Sequence, residues 1–363
     1  MSNFPEGKAI VYCEGAFNTP NGKTAHGLVR RTLRYTILSV IDSNYAGCDA
    51  GYVLDRTEKN IPVMSDVQTA LNESQSAGVQ PTHLVIGIAP DGGRLSLKAR
   101  EDVKLSIELG LNVDSGLHDF LSEDPEISAL AKKHKVTIRD VRKTPPRNQL
   151  HFYCGKIEGV NCLKIAVLGT DSAIGKRTTA WILIDALQDA GYSAQLVGTG
   201  QTAWMQGAQY SILLDSLIND FVSGEIEHAV WSAWNDKHPD VIVIEGQGSL
   251  MNPAYPGGFE ILAAGRPDIV ILQHAPARKE YDGFPGYPIH PLVIQIQAIE
   301  LISGKPVVAI TINHENLEQS DISNICEEIA SQTGLPAFDV LLDGADGLVE
   351  VIEEFIEQKG NSQ

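Results

Sequence analysis

From residue 164 to 179 the chain reads Lys-Ile-Ala-Val-Leu-Gly-Thr-Asp-Ser-Ala-Ile-Gly-Lys-Arg-Thr-Thr. An apolar run of strand character enters a loop bounded by Gly169 and Gly175, and Lys176 heads a helical pattern. These are the parts of a phosphate cradle. Glycines let backbone N–H groups turn toward an anion, the helix N-terminus adds positive dipole, and the lysine supplies a point charge. The usual form has four residues between the glycines and Ser or Thr directly after the lysine. Here five residues separate Gly169 from Gly175, and Arg177 stands between Lys176 and Thr178. Phosphate binding follows from this stretch; nucleotide hydrolysis does not. Gly169, Thr170, Asp171, Ser172, Ala173, Ile174, Gly175, Lys176, Arg177, Thr178 and Thr179 are the expected cofactor-binding residues.

Other reactive side chains follow apolar runs in the same half. Glu245-Gly246-Gln247-Gly248-Ser249 follows one, Gln273-His274-Ala275-Pro276-Ala277-Arg278 another, and Asn313-His314-Glu315-Asn316 a third. Glu245 stands where phosphate-loop proteins carry an acid for Mg²⁺ or water. The alternative is a helix cap or an ion pair with Lys176. Gly246 and Gly248 permit close backbone approach, so their N–H groups are candidates to meet an oxyanion. With Gln247 and Ser249 they form the expected substrate-binding loop. His274 and His314 are candidates for proton transfer, or are ordinary structural histidines. Arg278 or Arg266 can grip a substrate carboxylate, although arginine is more often a surface ion partner. No His/Cys ligand spacing indicates a metal. Gly22-Lys23-Thr24 echoes the Gly-Lys of the main loop, but six residues separate Gly15 from Gly22, so it reads equally as a plain helix start.

Positioning these groups requires a particular scaffold. In the first half, strand patterns over 8–13, 35–42, 82–88, 111–113 and 137–141 alternate with helical ones, including a helix opened by a Ser65–Gln68 capping box, and 43–51 reads as loop. The second half alternates more regularly: strands over 163–168, 194–197, 241–244, 269–272, 307–312 and 337–341, helices over 176–190, 211–222, 259–264, 292–302, 322–333 and 348–358. Near-continuous Val/Ile/Leu strands between helices imply parallel sheets covered on both faces. Pro145-Pro146 interrupts both periodicities. The expected fold class is therefore α/β: two doubly wound, mostly parallel-sheet domains. An N-terminal Rossmann-like domain spans 1–152 and a C-terminal P-loop NTPase-like domain spans 153–363. In such sheets ligands bind beyond the carboxyl ends of the strands. The first domain is expected to close over the second, bringing Lys23, Arg30, Asp42 and Ser115 toward the substrate.

Bulk composition narrows the function classes. The chain has 363 residues and a net charge of −18, from 28 basic and 46 acidic residues, which argues against nucleic acid as a partner. No signal-peptide pattern opens it, and its apolar runs are too short for a bilayer. Five dispersed cysteines, with no CxxC pair, read as reduced thiols in a cytoplasmic protein. The stiff loops Pro256-Gly257-Gly258-Phe259 and Asp282-Gly283-Phe284-Pro285-Gly286-Tyr287-Pro288 suit pocket walls or subunit contacts. A homo-oligomer, most simply a dimer, is expected.

The loop from Gly169 to Lys176 resembles that of dethiobiotin synthetases, which have the same five-residue gap, and Glu245-Gly246 resembles their Mg²⁺-holding strand end. Arg177 departs from that pattern. Over nearly its full length the chain resembles a bacterial family long filed as a domain of unknown function, one branch of which is assigned as D-glutamate N-acetyltransferase. That resemblance implies an acyltransferase using acetyl-CoA as donor and an acidic D-amino acid as substrate. Lys176 and Arg177 would then hold cofactor phosphates, and Glu245 or His274 would be the base. The alternatives are an ATP- and Mg²⁺-dependent ligase or kinase, and a nucleotide- or CoA-sensing protein without turnover.

Overall fold

The computed structural model describes residues 4–360, with Asp91 described by its backbone alone. The chain divides into two compact units: Met1–Thr144 with Gln201–Gln209, and Pro145–Gly200 with Tyr210–Gln363.

In the first unit the order is β1 (Gly7–Tyr12), α1 (Lys23–Arg30), β2 (Tyr35–Ile41), α2 (Ala50–Asp55), β3 (Val63–Met64), α3 (Val67–Ser76), β4 (His83–Ile86), α4 (Leu97–Glu108), β5 (Asn112–Ser115), α5 (Pro125–His134) and β6 (Ile138–Asp140). Among the described residues these strands form one sheet in the order β3-β2-β1-β4-β5-β6, and every pairing is parallel. This is the strand order of the complete doubly wound Rossmann sheet, which reverses between β1 and β4. The cap of α3 is Asp66, which accepts from Thr69 N–H at 2.8 Å, rather than Ser65. The stretch 43–51 is not all loop: a short 3₁₀ turn spans Ser43–Tyr45, and Asp49 caps α2.

The second unit contains β7 (Leu163–Gly169), α6 (Lys176–Asp189) and β8 (Ala194–Gly198). After the short helix α7 (Gln201–Gln206) come β9 (Tyr210–Ser211), α8 (Asn219–Lys237), β10 (Val241–Glu245), β11 (Ile269–His274), α9 (Leu292–Ser303), β12 (Val307–Ile312), α10 (Ile322–Thr333), β13 (Ala337–Phe338), α11 (Val340–Asp343) and α12 (Asp346–Gly360). The sheet order is β13-β12-β11-β7-β10-β8-β9, all parallel. Every residue of β7, β10 and β12 is buried, as parallel strands covered on both faces should be. The helix expected over 211–222 starts later, at Asn219, because the chain first adds β9 and a 3₁₀ turn at Leu214–Ser216. The last strand is shorter than expected: Asp339 accepts from Leu341 and Leu342 N–H and starts α11 there. No helix among the described residues is long and apolar enough to cross a membrane.

Helix α7 packs within the first unit, although sequence order surrounds it with second-unit strands. Its Met205 is fully buried in that core. Gln206 Nε2 donates to Gly27 O and Arg31 O, both at 2.8 Å, and the Thr202 and Thr24 hydroxyls lie 2.9 Å apart. The Trp204 ring lies under two guanidinium groups, Arg34 at 3.7 Å and Arg139 at 4.5 Å from its centroid. Six residues are too few to display a helical period, so α7 is invisible to pattern reading. Trp204→Ala removes both stacked cations and is expected to destabilise the first unit by about 2 kcal/mol, measured by urea unfolding. An unchanged midpoint would show that this segment contributes nothing to that core.

Candidate active site

The phosphate loop leaves the central strand of the second sheet. β7 lies between β10 and β11, so groups ending those strands flank the loop. The register pairs Glu245 with Val167 and Gln273 with Gly169. Within the loop Ala173 has φ +51° and Gly175 has φ +100°. Left-handed backbone at these two positions, either side of Ile174, is the kind of conformation from which anion-binding N–H concavities are built. No side chain caps α6, so the first N–H groups of that helix and its dipole face the same concavity.

Asp171 fixes the loop. It is fully buried, and both carboxylate oxygens are committed. Oδ1 accepts from Ser172 N–H (2.7 Å) and Asn252 Nδ2 (2.8 Å), and Oδ2 from Arg278 Nη1 (2.8 Å) and Asp282 N–H (2.9 Å). The loop is thereby tied to two distant segments. Arg278 also donates to Ser172 O at 2.8 Å and forms a fork with Glu315. The guanidinium expected to grip a substrate carboxylate is thus engaged by two carboxylates of the protein itself. Asn252, buried, turns its own loop by accepting from Ala254 and Tyr255 N–H, each at 2.9 Å. In the sequence the only sign of this turn is the Asn252-Pro253 pair.

Lys176 is buried, and its ammonium donates to Asp171 O (2.6 Å) and Gly248 O (2.8 Å). It therefore joins the phosphate loop to the loop after β10. Gly248 is the glycine this loop requires: its φ is +51°, and a Cβ there would stand 2.0 Å from Tyr255 O. Gly246 differs from expectation. Its N–H donates to Val167 O at 3.0 Å, extending the β10–β7 ladder, and so is not available to an oxyanion. Gln247 Nε2 donates to Thr199 Oγ1 at 3.1 Å, and Ser249 Oγ is buried with no hydrogen-bond partner among the described residues.

Glu245 ends β10 almost out of solvent, with Oε2 accepting from Thr199 N–H at 3.0 Å. Burial pushes its carboxyl above the ordinary carboxylate range, against the opposing pull of Arg177, the Thr199 N–H and Lys176. A raised carboxyl that faces cations is a pattern of groups that move protons. His274 shares a hydrogen with the Thr170 hydroxyl at 3.0 Å. Burial and the charge of Lys279 push it down to about 4, so it is neutral near pH 7. Thr179, one of the hydroxyls after Lys176, donates to Gln273 Oε1 at 2.5 Å, and Thr311 donates to the same oxygen at 2.6 Å. Asn313 Nδ2 donates to Ile174 O at 3.1 Å. Gln273 and Asn313 are loop supports that the neighbouring histidines obscured in the sequence.

Several other expected groups have partners within the protein. His314 pairs with Asp339, and Arg266 pairs with Glu158 at the surface. In the first unit Arg30 forms a two-bond fork with Asp55 (2.7 and 2.8 Å), and Asp42 accepts from Phe17 and Asn44 N–H. Lys23 opens α1 at the surface. The Gly22-Lys23-Thr24 echo forms no cradle: Ala25 N–H donates to Gly87 O at 3.0 Å, and Thr24 is buried against Thr202.

Residues 151–349 match the family model described as a domain of unknown function, DUF1611_C P-loop domain, and residues 43–144 match the DUF1611_N Rossmann-like domain. A curated relative from Tritonibacter scottomollicae, named D-glutamate N-acetyltransferase, is 32% identical over 293 residues, covering 78% of this chain and 84% of the relative. Another of that name from a Pseudoalteromonas species is 30% identical over 292 residues, covering 78% and 86%. The crystal structure of a DUF1611 family protein from Anabaena variabilis superposes with a TM-score of 0.87 at 28% identity, covering 96% of this chain and all of that one.

Two substitutions test the construction of the loop. Asp171→Asn leaves the half-buried Arg278 with one carboxylate fewer and is expected to cost about 3 kcal/mol in thermal or urea unfolding. Gly248→Ala forces Cβ into the Tyr255 carbonyl and is expected to destabilise by about 2 kcal/mol while displacing the Lys176 acceptor. Wild-type stability of either variant would contradict the role assigned here.

Proposed function

The chain belongs to the DUF1611 family, and from that premise and the geometry of its phosphate loop we propose that it transfers an acetyl group from acetyl-CoA to the amino group of D-glutamate. The observation that carries this reading is the pairing of an uncapped anion concavity, at Ala173 to Arg177, with a carboxyl raised by burial at Glu245. The concavity, Lys176 and Arg177 suit the phosphates of coenzyme A, which are held and not cleaved. The names carried by two curated relatives supply the substrate class.

In this reading the ammonium of the amino acid first gives a proton to Glu245. The freed nitrogen lone pair attacks the thioester carbonyl, the new C–N bond forms, and the C–S bond breaks. The sulfur leaves as thiolate and takes the second proton of the nitrogen, giving the amide and free coenzyme A, and the proton held by Glu245 passes to solvent. A base poised above the ordinary carboxylate range is better matched to an amine than an ordinary carboxylate is. His274, neutral but weakly basic at about 4, serves as the hydrogen-bond partner of Thr170. With Gly246 committed to the sheet, the Gly248 N–H takes the role of donor to the tetrahedral oxyanion.

The test is release of free thiol by the purified protein from acetyl-CoA, with D-glutamate, L-glutamate and no amino acid compared. Release that requires D-glutamate is expected, and its absence would sink the proposal. ATP with Mg²⁺ in the same assay should yield no ADP. Glu245→Gln is expected to lower kcat about a hundredfold or more while coenzyme A still binds. The pH dependence has a definite sign. Below its pKa, Glu245 is protonated and cannot accept, so kcat should rise with pH through a value above the ordinary carboxylate range. An acid limb near 4 that survives in Glu245→Gln would instead assign the base to His274.

A further inference from the structure

A cleft of about 570 Å³ opens beside the phosphate loop, walled by Met251, Pro253, Tyr281, Tyr287, Pro288 and His290. Its size is that of a small-molecule site, and its lining is largely apolar with a few polar tips. Among the described residues no Lys or Arg lines it, so it is poorly suited to the two carboxylates of glutamate. We infer that it receives the pantetheine arm of the acyl donor, an inference that rests on acetyl-CoA being that donor.

Three observations lead there. First, both walls are anchored to Asp171. Asn252, between Met251 and Pro253, donates to Oδ1, and Asp282 N–H, next to Tyr281, donates to Oδ2. The walls are therefore fixed by a residue of the phosphate loop itself. Second, one wall continues from the loop after β10. That loop begins at Glu245 and supplies Gly248 O to Lys176. Coenzyme A held by its pyrophosphate extends in two directions, with adenosine on one side and the arm on the other. The thioester must end near the base, and the chain that leaves Glu245 runs on into this wall at Met251, which favours this cleft for the arm. Third, the other wall is held by its own hydrogen bonds. Tyr281 N–H donates to Tyr287 O at 3.0 Å, Phe284 N–H to Tyr281 O at 2.9 Å, and Ile289 N–H to Lys279 O at 3.0 Å. The Tyr281 hydroxyl and His290 Nδ1 lie 2.8 Å apart. A preformed wall lowers the ordering cost of binding a flexible chain. Tyr287 is held outward, 55% exposed, as an aromatic surface with apolar neighbours on the cleft side. Tyrosine rings and prolines offer faces to the methylene and gem-dimethyl groups, and the hydroxyl tips suit the two amides.

The experiment compares binding of coenzyme A with that of 3′-phospho-ADP, which keeps the pyrophosphate and lacks the arm, by isothermal titration. Wild type is expected to bind coenzyme A more tightly than 3′-phospho-ADP. Met251→Trp, which fills the cleft, should weaken coenzyme A by about tenfold and leave 3′-phospho-ADP within about twofold. Tyr287→Ala, at an exposed position that threatens folding little, should weaken coenzyme A by about fivefold with the same selectivity. Equal weakening of both ligands, no effect on coenzyme A, or wild-type affinity that ignores the arm would overturn the inference. The underlying reading is tested separately by wild type alone. If wild type transfers no acetyl group, the donor assignment fails; if it transfers and the variants bind coenzyme A normally, only the arm site fails.

Discussion

One buried carboxylate holds this site together. Asp171 has no solvent to satisfy it, so each of its lone pairs must find a donor in the protein. It finds them on its own loop at Ser172 and on two other stretches, at Asn252 and at Arg278 and Asp282. Arg278 carries the compensating charge and shares it with Glu315. A charge removed from water in this way is costly unless fully paired, which makes the arrangement nearly all-or-none. The phosphate loop is therefore rigid by virtue of its connections, and the walls of the neighbouring cleft inherit that rigidity.

The charge balance of the whole chain makes the local geometry more telling. A protein with net charge −18 repels anions at long range. An anion can be held only where N–H groups, a helix dipole and cations converge, and that convergence occurs at Ala173 to Arg177. Glu245 lies within electrostatic reach of the same cations: its burial raises the carboxyl while Arg177 and Lys176 pull it the other way.

Two Gly-Lys sequences had opposite fates, and backbone accounting explains it. At Gly175-Lys176 the preceding residues take left-handed backbone and the helix start is uncapped. At Gly22-Lys23 the following N–H is already bonded to Gly87, and Thr24 is packed against Thr202. A dipeptide alone does not set the backbone around it; its neighbours in the fold do. The same accounting moves Gly246 from the oxyanion to the sheet.

Read alone, the sequence determined the two α/β halves, the strand-to-loop-to-helix order at Gly169–Lys176 and the placement of Glu245 and His274 at strand ends. These are local properties: runs of Val, Ile and Leu, glycine spacing and helical period are written in neighbouring residues. Only the tertiary structure decided which donors satisfy Asp171, that Arg278 is held by the protein's own carboxylates, that Gln273 and Asn252 support the loop, and that Gln201–Gln209 belongs to the first unit. Each of these is a contact between residues far apart in the chain, and no periodicity encodes it. Burial makes such contacts obligatory, but the choice of partner depends on which strands lie side by side.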